Sequence, residues 1–184
     1  MTNLEEDLFG ERYHQPINQK AKGNRNELKV TKLISDWTGH EFTRVPRSGG
    51  LRWKNRMDIC GDVISADPEF KCVFNIETKH VKSLGLNSPI LRKNSVVLTY
   101  FRQAARDAAS AGKIPFLMVR QNGMEKDHYH IFLQANNFYQ VKALKELGAQ
   151  FISETDNHEA LIGFDSRKLL SKVSYETLKT ILYG

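Results

Sequence analysis

The apolar positions of this chain change period several times, and each change marks an element. Residues 1–22 are polar, have no apolar period and contain Pro16, so they read as a loose N-terminal arm. From Asn24 onward, Leu28, Leu33, Ile34 and Trp37 recur at helical spacing, and Gly39 stops the helix. Residues 41–46 alternate as a strand does, whereas residues 47–56 have no period and read as a loop. Strands are expected over 57–64 and 71–80; the short turn at Asp67-Pro68 between them predicts an antiparallel hairpin. Residues 82–94 form a second loop. Residues 95–111 form a helix with Val97, Tyr100, Phe101, Ala104 and Ala108 on one side, ended by Gly112. Two strands, over 114–119 and 128–134, flank a turn at Asn122-Gly123. A helix over 138–147, short strands over 151–153 and 160–164, and a helix over 169–182 broken near Ser174 complete the pattern. This order is mixed α/β around one continuous core.

Length and composition narrow the class. A chain of 184 residues is the size of one domain and buries enough surface to need no covalent staple. Two cysteines, Cys60 and Cys72, exclude a disulfide framework and a four-cysteine zinc site, and read as reduced thiols. The N-terminus is acidic (Glu5, Glu6, Asp7) and lacks an apolar segment, and the apolar runs are far short of the roughly 20 residues a membrane span needs. A cytoplasmic chain with no membrane partner is the expectation. With 27 Lys and Arg against 21 Asp and Glu, the net charge of +6 points to a phosphate-bearing or anionic partner.

Candidate chemistry concentrates in residues 57–79. On a strand, Glu77 and Lys79 share a face about 7 Å apart while Thr78 points away. Asp58 and Asp62 share a face of the neighbouring strand, and in the expected hairpin Asp58 meets Glu77 at a sheet edge. Carboxylates in such apolar surroundings require a cation or a hydrogen-bond network. A hard divalent cation suits two carboxylates, a carbonyl and waters, and Lys79 beside it would offset developing negative charge. The simpler reading of Glu-Thr-Lys is a solvated strand face. Against it stand the Asp–turn–Glu-x-Lys order, the inward-capable Glu27 and a basic loop before Asp58. From Lys20 to Arg56 there are ten basic residues and three acidic ones, a local balance of 10 − 3 = +7. Trp53 and Leu51 interleave with these cations, and Gly49-Gly50 would let backbone N–H groups approach phosphate. His128-Tyr129-His130 places two histidines on one strand face and reads as a surface or edge pair.

The pattern Asp58…Glu77-Thr78-Lys79 after a helix bearing Glu27 resembles the PD-(D/E)XK nuclease superfamily. More narrowly, Lys22-Gly23-Asn24…Glu27, then Arg44-Val45-Pro46-Arg47-Ser48-Gly49-Gly50 and Met57-Asp58-Ile59, resembles the archaeal-type Holliday-junction resolvases. Met57 stands where the superfamily's name has proline. The resemblance implies a restriction-endonuclease-like α/β core, a mixed sheet of about four or five strands flanked by helices. Residues 23–184 would be a single nuclease domain, with a core over 23–135 and an α/β extension over 136–184. It further implies a metal-dependent endonuclease in which Asp58, Glu77 and the Thr78 carbonyl hold Mg²⁺ or Mn²⁺. Lys79 would be the catalytic lysine, Glu27 would support a second cation or its water, and Ser48 would lie near the scissile phosphate. Gln103 matches a helix glutamine that some members carry. DNA, in particular a four-way or branched junction, is the expected partner, met by Lys22, Arg25, Arg44, Arg47, Arg52, Lys54 and Arg56. Paired cuts imply a homodimer. Two rivals remain: a restriction, homing, nicking or repair enzyme of the same fold, and a catalytically silent DNA-binding module.

Overall fold

A computed structural model describes residues 19–45, 60–85, 95–154 and 160–183. In chain order the elements are α1 (Gln19–Thr38), β1 (Phe42–Arg44), β2 (Val63–Ser65), β3 (Phe74–Val81), α2 (Val96–Ser110), β4 (Ile114–Gln121) and β5 (His130–Ala135). They continue with α3 (Phe138–Glu146), β6 (Phe151–Glu154), β7 (Ala160–Asp165), α4 (Ser166–Lys172) and α5 (Tyr175–Tyr183). The strands form one sheet in the order β1-β2-β3-β4-β5-β7-β6. Only β3 and β4 run parallel, joined across the sheet face by α2; the other neighbours are antiparallel. This is a PD-(D/E)XK-type mixed α/β core, as the resemblance implies.

Among the described residues the sheet has seven strands where four or five were expected. The C-terminal strands do not form a separate layer. β7 pairs with β5 along its whole length, from His130↔Asp165 to Ala135↔Ala160, and β6 pairs with β7 outside it. Residues that read as an extension thus complete the central sheet.

Two apolar layers cover the sheet. The larger joins α1, α3, α4 and α5 to one face through Val30, Ile34, Phe74, Ile76, Phe116, Met118, Leu144, Leu169 and Leu178. The other packs α2 against the opposite face through Val97, Leu98, Phe101, Leu117, Val119, Phe132 and Leu161. Strands β3 and β4 are therefore covered on both sides, which explains the apolar run Phe116–Val119 of β4. Ser95, read as the first residue of this helix, is its N-cap and accepts from the Leu98 amide. Trp37 closes the far end of the larger layer: its indole donates to the Val173 carbonyl at 2.7 Å, and its ring lies 5.6–6.1 Å from those of Phe74, Phe116 and Tyr175.

Two boundaries differ from the sequence pattern. Helix α1 begins at Gln19 and runs straight through Gly23. A glycine inside a helix costs about 1 kcal/mol, which tertiary contacts of this turn offset; Lys22 donates to Asn122 at 2.8 Å. Strand β2 is only three residues long. It starts at Val63, because the chain bends at Gly61 and Asp62.

Candidate active site

The alternation of β3 divides its residues between the two layers. Phe74 and Ile76 enter the α1 layer, and Thr78 follows them. Glu77 and Lys79 point to the α2 side. Glu77 is only 3 % exposed, and Lys79 Nζ lies 2.5 Å from its Oε1. The same ammonium stands 5.9 Å from the centre of the Tyr100 ring on α2. A buried carboxylate thus has a lysine clamped on it at the C-terminal half of a central strand. Deep burial of Glu77 sets aside the reading of Glu-Thr-Lys as a solvated face.

Asp62 is the second buried acid here, at 2 % exposure. Its amide donates to the Ile76 carbonyl and its carbonyl accepts from Val45, so its backbone is held between β1 and β3. With Val63 opposite Ile76, Asp62 falls beside Glu77. Its Oδ2 accepts the Thr78 amide at 3.0 Å. This approach requires Gly61. Its φ is +84°, and a Cβ there would meet Asn75 Oδ1 at 2.5 Å and the Ile76 carbonyl oxygen at 2.6 Å. The sequence pattern placed the strand over 57–64 and so gave Asp58 the place beside Glu77. The sign that could have favoured Asp62 is Gly61 immediately before it, a breaker inside an otherwise apolar strand. Asp58 and Ser48 lie outside the described residues, as do Arg47, Arg52, Lys54 and Arg56.

Glu27 arrives from α1. It is 6 % exposed, flanked on its helix face by the fully buried Val30 and Ile34, and 3.5 Å from Arg44 on β1. Because α1 starts at Gln19, Glu27 sits in the helix interior. A glutamate in a first turn would complement the helix dipole; Glu27, two turns in, does not have that role. Asn26 beside it donates to Thr78 Oγ1 at 2.7 Å and is equally buried. The expected DNA-binding residues separate: Arg25 is exposed, Lys22 reaches Asn122, and Arg44 is paired with Glu27. The surroundings of His80, at the end of β3, are cationic. Burial pushes its pKa down to about 4, and Lys22 and Arg120 add to the effect.

His128 and His130 do not form a surface pair. His130 lies on β5, an interior strand, and His128 Nε2 is 2.8 Å from Asp165 Oδ2, in ion-pair range but off the line of a hydrogen bond. Cys72 belongs to the larger core, Cys60 is half-buried, and neither is in a disulfide. Gln103 is half-buried on α2.

The donors bear on the question of a metal. Asp62 and Glu77 are hard carboxylates on neighbouring strands, which suits Mg²⁺, a cation often held by one or two carboxylates with water completing the shell. Among the described residues, no group of three His, Cys, Asp or Glu side chains is placed to hold an ion. The donor set fits a divalent cation that keeps much of its water.

A parallel β3–β4 pair with Glu-x-Lys on β3, an acid beside it at the start of β2 and a glutamate from α1 defines a PD-(D/E)XK nuclease core. Residues 18–172 match the family described as "Phage putative PDDEXK endonuclease", and the chain belongs to that family. No curated protein and no solved structure gives a significant match.

Proposed function

We propose that the chain is a Mg²⁺- or Mn²⁺-dependent DNA endonuclease that prefers four-way or branched DNA. The observation that supports this most is buried Asp62, just before β2, beside buried Glu77 on β3, with Lys79 clamped on Glu77. Burying these acids without a purpose would be costly. In this reading Glu77, the Thr78 carbonyl and either Asp62 or Asp58 hold the cation, and Glu27 supports a second cation or its water. Bound there, a divalent ion would lower the pKa of water and neutralise charge on a phosphodiester. Lys79 orients the attacking water and offsets charge developing on the phosphate. Water attacks in line, leaving 5′-phosphate and 3′-hydroxyl ends. Ser48 approaches the scissile phosphate. Lys22, Arg25, Arg44, Arg47, Arg52, Lys54 and Arg56 contact the backbone, and a cytoplasmic homodimer makes the paired cuts.

The test is cleavage by purified protein with Mg²⁺ or Mn²⁺ of a four-way junction, a duplex of the same sequence and single strands. Paired nicks in the junction are expected, and Glu77→Ala should abolish them while junction binding in Ca²⁺ persists. Cleavage of one short duplex sequence alone would replace the junction reading with the restriction or homing one. Binding without cleavage by the wild-type protein would favour the silent module.

A further inference from the structure

The segment that ends the β4–β5 connection reaches back into the candidate site through buried hydrogen bonds. Tyr129 is fully buried, and its hydroxyl donates to Asn26 Oδ1 at 2.9 Å. Asn26, 4 % exposed, passes the connection on from Nδ2 to Thr78 Oγ1 at 2.7 Å. The Thr78 amide in turn donates to Asp62 at 3.0 Å. Thr78 is thus gripped on its side chain by α1 and on its backbone by the acid of β2, between Glu77 and Lys79. At the other end, Arg120 lies 5.6 Å from the centre of the Tyr129 ring and donates to the Met124 carbonyl at 3.0 Å. One chain of contacts therefore links the β4–β5 turn, α1, β3 and β2, joining residues 103 positions apart in sequence.

We propose that Tyr129 and Asn26 are positioning residues of the nuclease site: they set α1, and with it Glu27, in register with Glu77, Thr78 and Lys79. This inference rests on the nuclease reading above. The arrangement is suited to the task because both groups use well-matched donors and acceptors. The asparagine amide is held between two hydroxyls, its oxygen accepting from Tyr129 and its nitrogen donating to Thr78. Buried polar groups satisfied in this way define one geometry, and loss of one partner leaves the other unpaired. Glu27 is the next residue along α1, so a shift of Asn26 moves it directly. Small displacements of this kind can cost a hundredfold in rate. Burial raises the Tyr129 pKa, which keeps the hydroxyl protonated and able to donate throughout the working pH range.

The experiment compares Tyr129→Phe, Asn26→Ala and the double variant with the wild-type protein. Tyr175→Phe is the control: it removes another buried tyrosine hydroxyl, one that accepts from the Val73 amide at 2.9 Å, at the far end of the sheet. Junction cleavage is measured as kcat and KM across a Mg²⁺ titration, with junction affinity in Ca²⁺ and thermal unfolding measured in parallel. The expected result is a kcat loss of at least tenfold in both single variants and a higher Mg²⁺ requirement, with unchanged junction affinity. The double variant should be no worse than the poorer single one, since the two residues act as a unit. Tyr175→Phe should lose stability but keep kcat. Where Tyr129→Phe fails to fold, Asn26→Ala carries the same comparison. Normal kcat and Mg²⁺ dependence in Asn26→Ala, or an equal kcat loss in Tyr175→Phe, would overturn the positioning role alone. A wild-type protein that cuts no DNA would overturn the nuclease reading, and this role with it.

Discussion

Gly61 and Asp62 show how much at this site depends on single residues. Asp62 reaches the Thr78 amide because Gly61 lets the backbone lie against Asn75 and Ile76 with positive φ. Alanine at 61 adds a Cβ into that contact in a conformation L-residues avoid. Gly61→Ala should lower the unfolding free energy by more than about 1 kcal/mol, read by denaturant titration, and slow cleavage by displacing Asp62. A parallel pair, Asp62→Asn and Asp58→Asn, assigns the acidic ligand on this side of the site. The ligand variant should lose cleavage by orders of magnitude, and the other should retain it. Loss in Asp58→Asn alone would return the role to the residue the strand pattern favoured.

Helix α1 has two faces of work. Val30 and Ile34 anchor it in the core, and Asn26 and Glu27, a turn earlier, present polar groups to β3 and β1. Its extra N-terminal turns place Glu27 inside the helix, where a carboxylate gains little from the dipole. Glu27→Gln keeps the shape and a hydrogen-bonding group toward Arg44, so the melting temperature should move by only a few degrees, on the scale of about 1 kcal/mol. Cleavage should nevertheless fall by orders of magnitude and its Mg²⁺ requirement should shift. Normal junction cutting across a Mg²⁺ titration would remove Glu27 from the site and leave it as the partner of Arg44. The start of α1 was not legible because residues 19–23 carry no apolar period; in the fold Lys22 of this stretch meets Asn122, a hundred residues away.

At the scale of the whole molecule, the sheet aligns Lys79, Val119, His130 and Asp165 in one transverse row across β3, β4, β5 and β7. His130 is held below its ordinary pKa first by burial and then by His128, against the opposing pull of Asp165. The unfolded chain therefore takes a proton near pH 6.5 that the folded chain refuses, and folding stability falls as pH drops below that value. Above it the histidine is neutral in both states and contributes no pH dependence. Denaturant unfolding at pH 7 and pH 5 should show a smaller loss in His130→Asn than in the wild-type protein. Equal losses would mean that His130 titrates normally.

Local pattern alone determined the elements that carry their own signals: α2 with its Ser95 cap, the turn at Asn122-Gly123, the break near Ser174, and the Glu-x-Lys alternation of β3. Period and capping are properties of neighbouring residues, so they survive without knowledge of the fold. The tertiary structure decided that Asp62 lies beside Glu77, where α1 begins, and that β6 and β7 extend the central sheet. Each of those depends on pairing between segments distant in sequence. A backbone hydrogen bond such as Asp62 to Ile76, or a buried contact such as Tyr129 to Asn26, leaves no periodic trace in either segment. Strand register is set by where two segments meet, and that meeting is decided by the core they share.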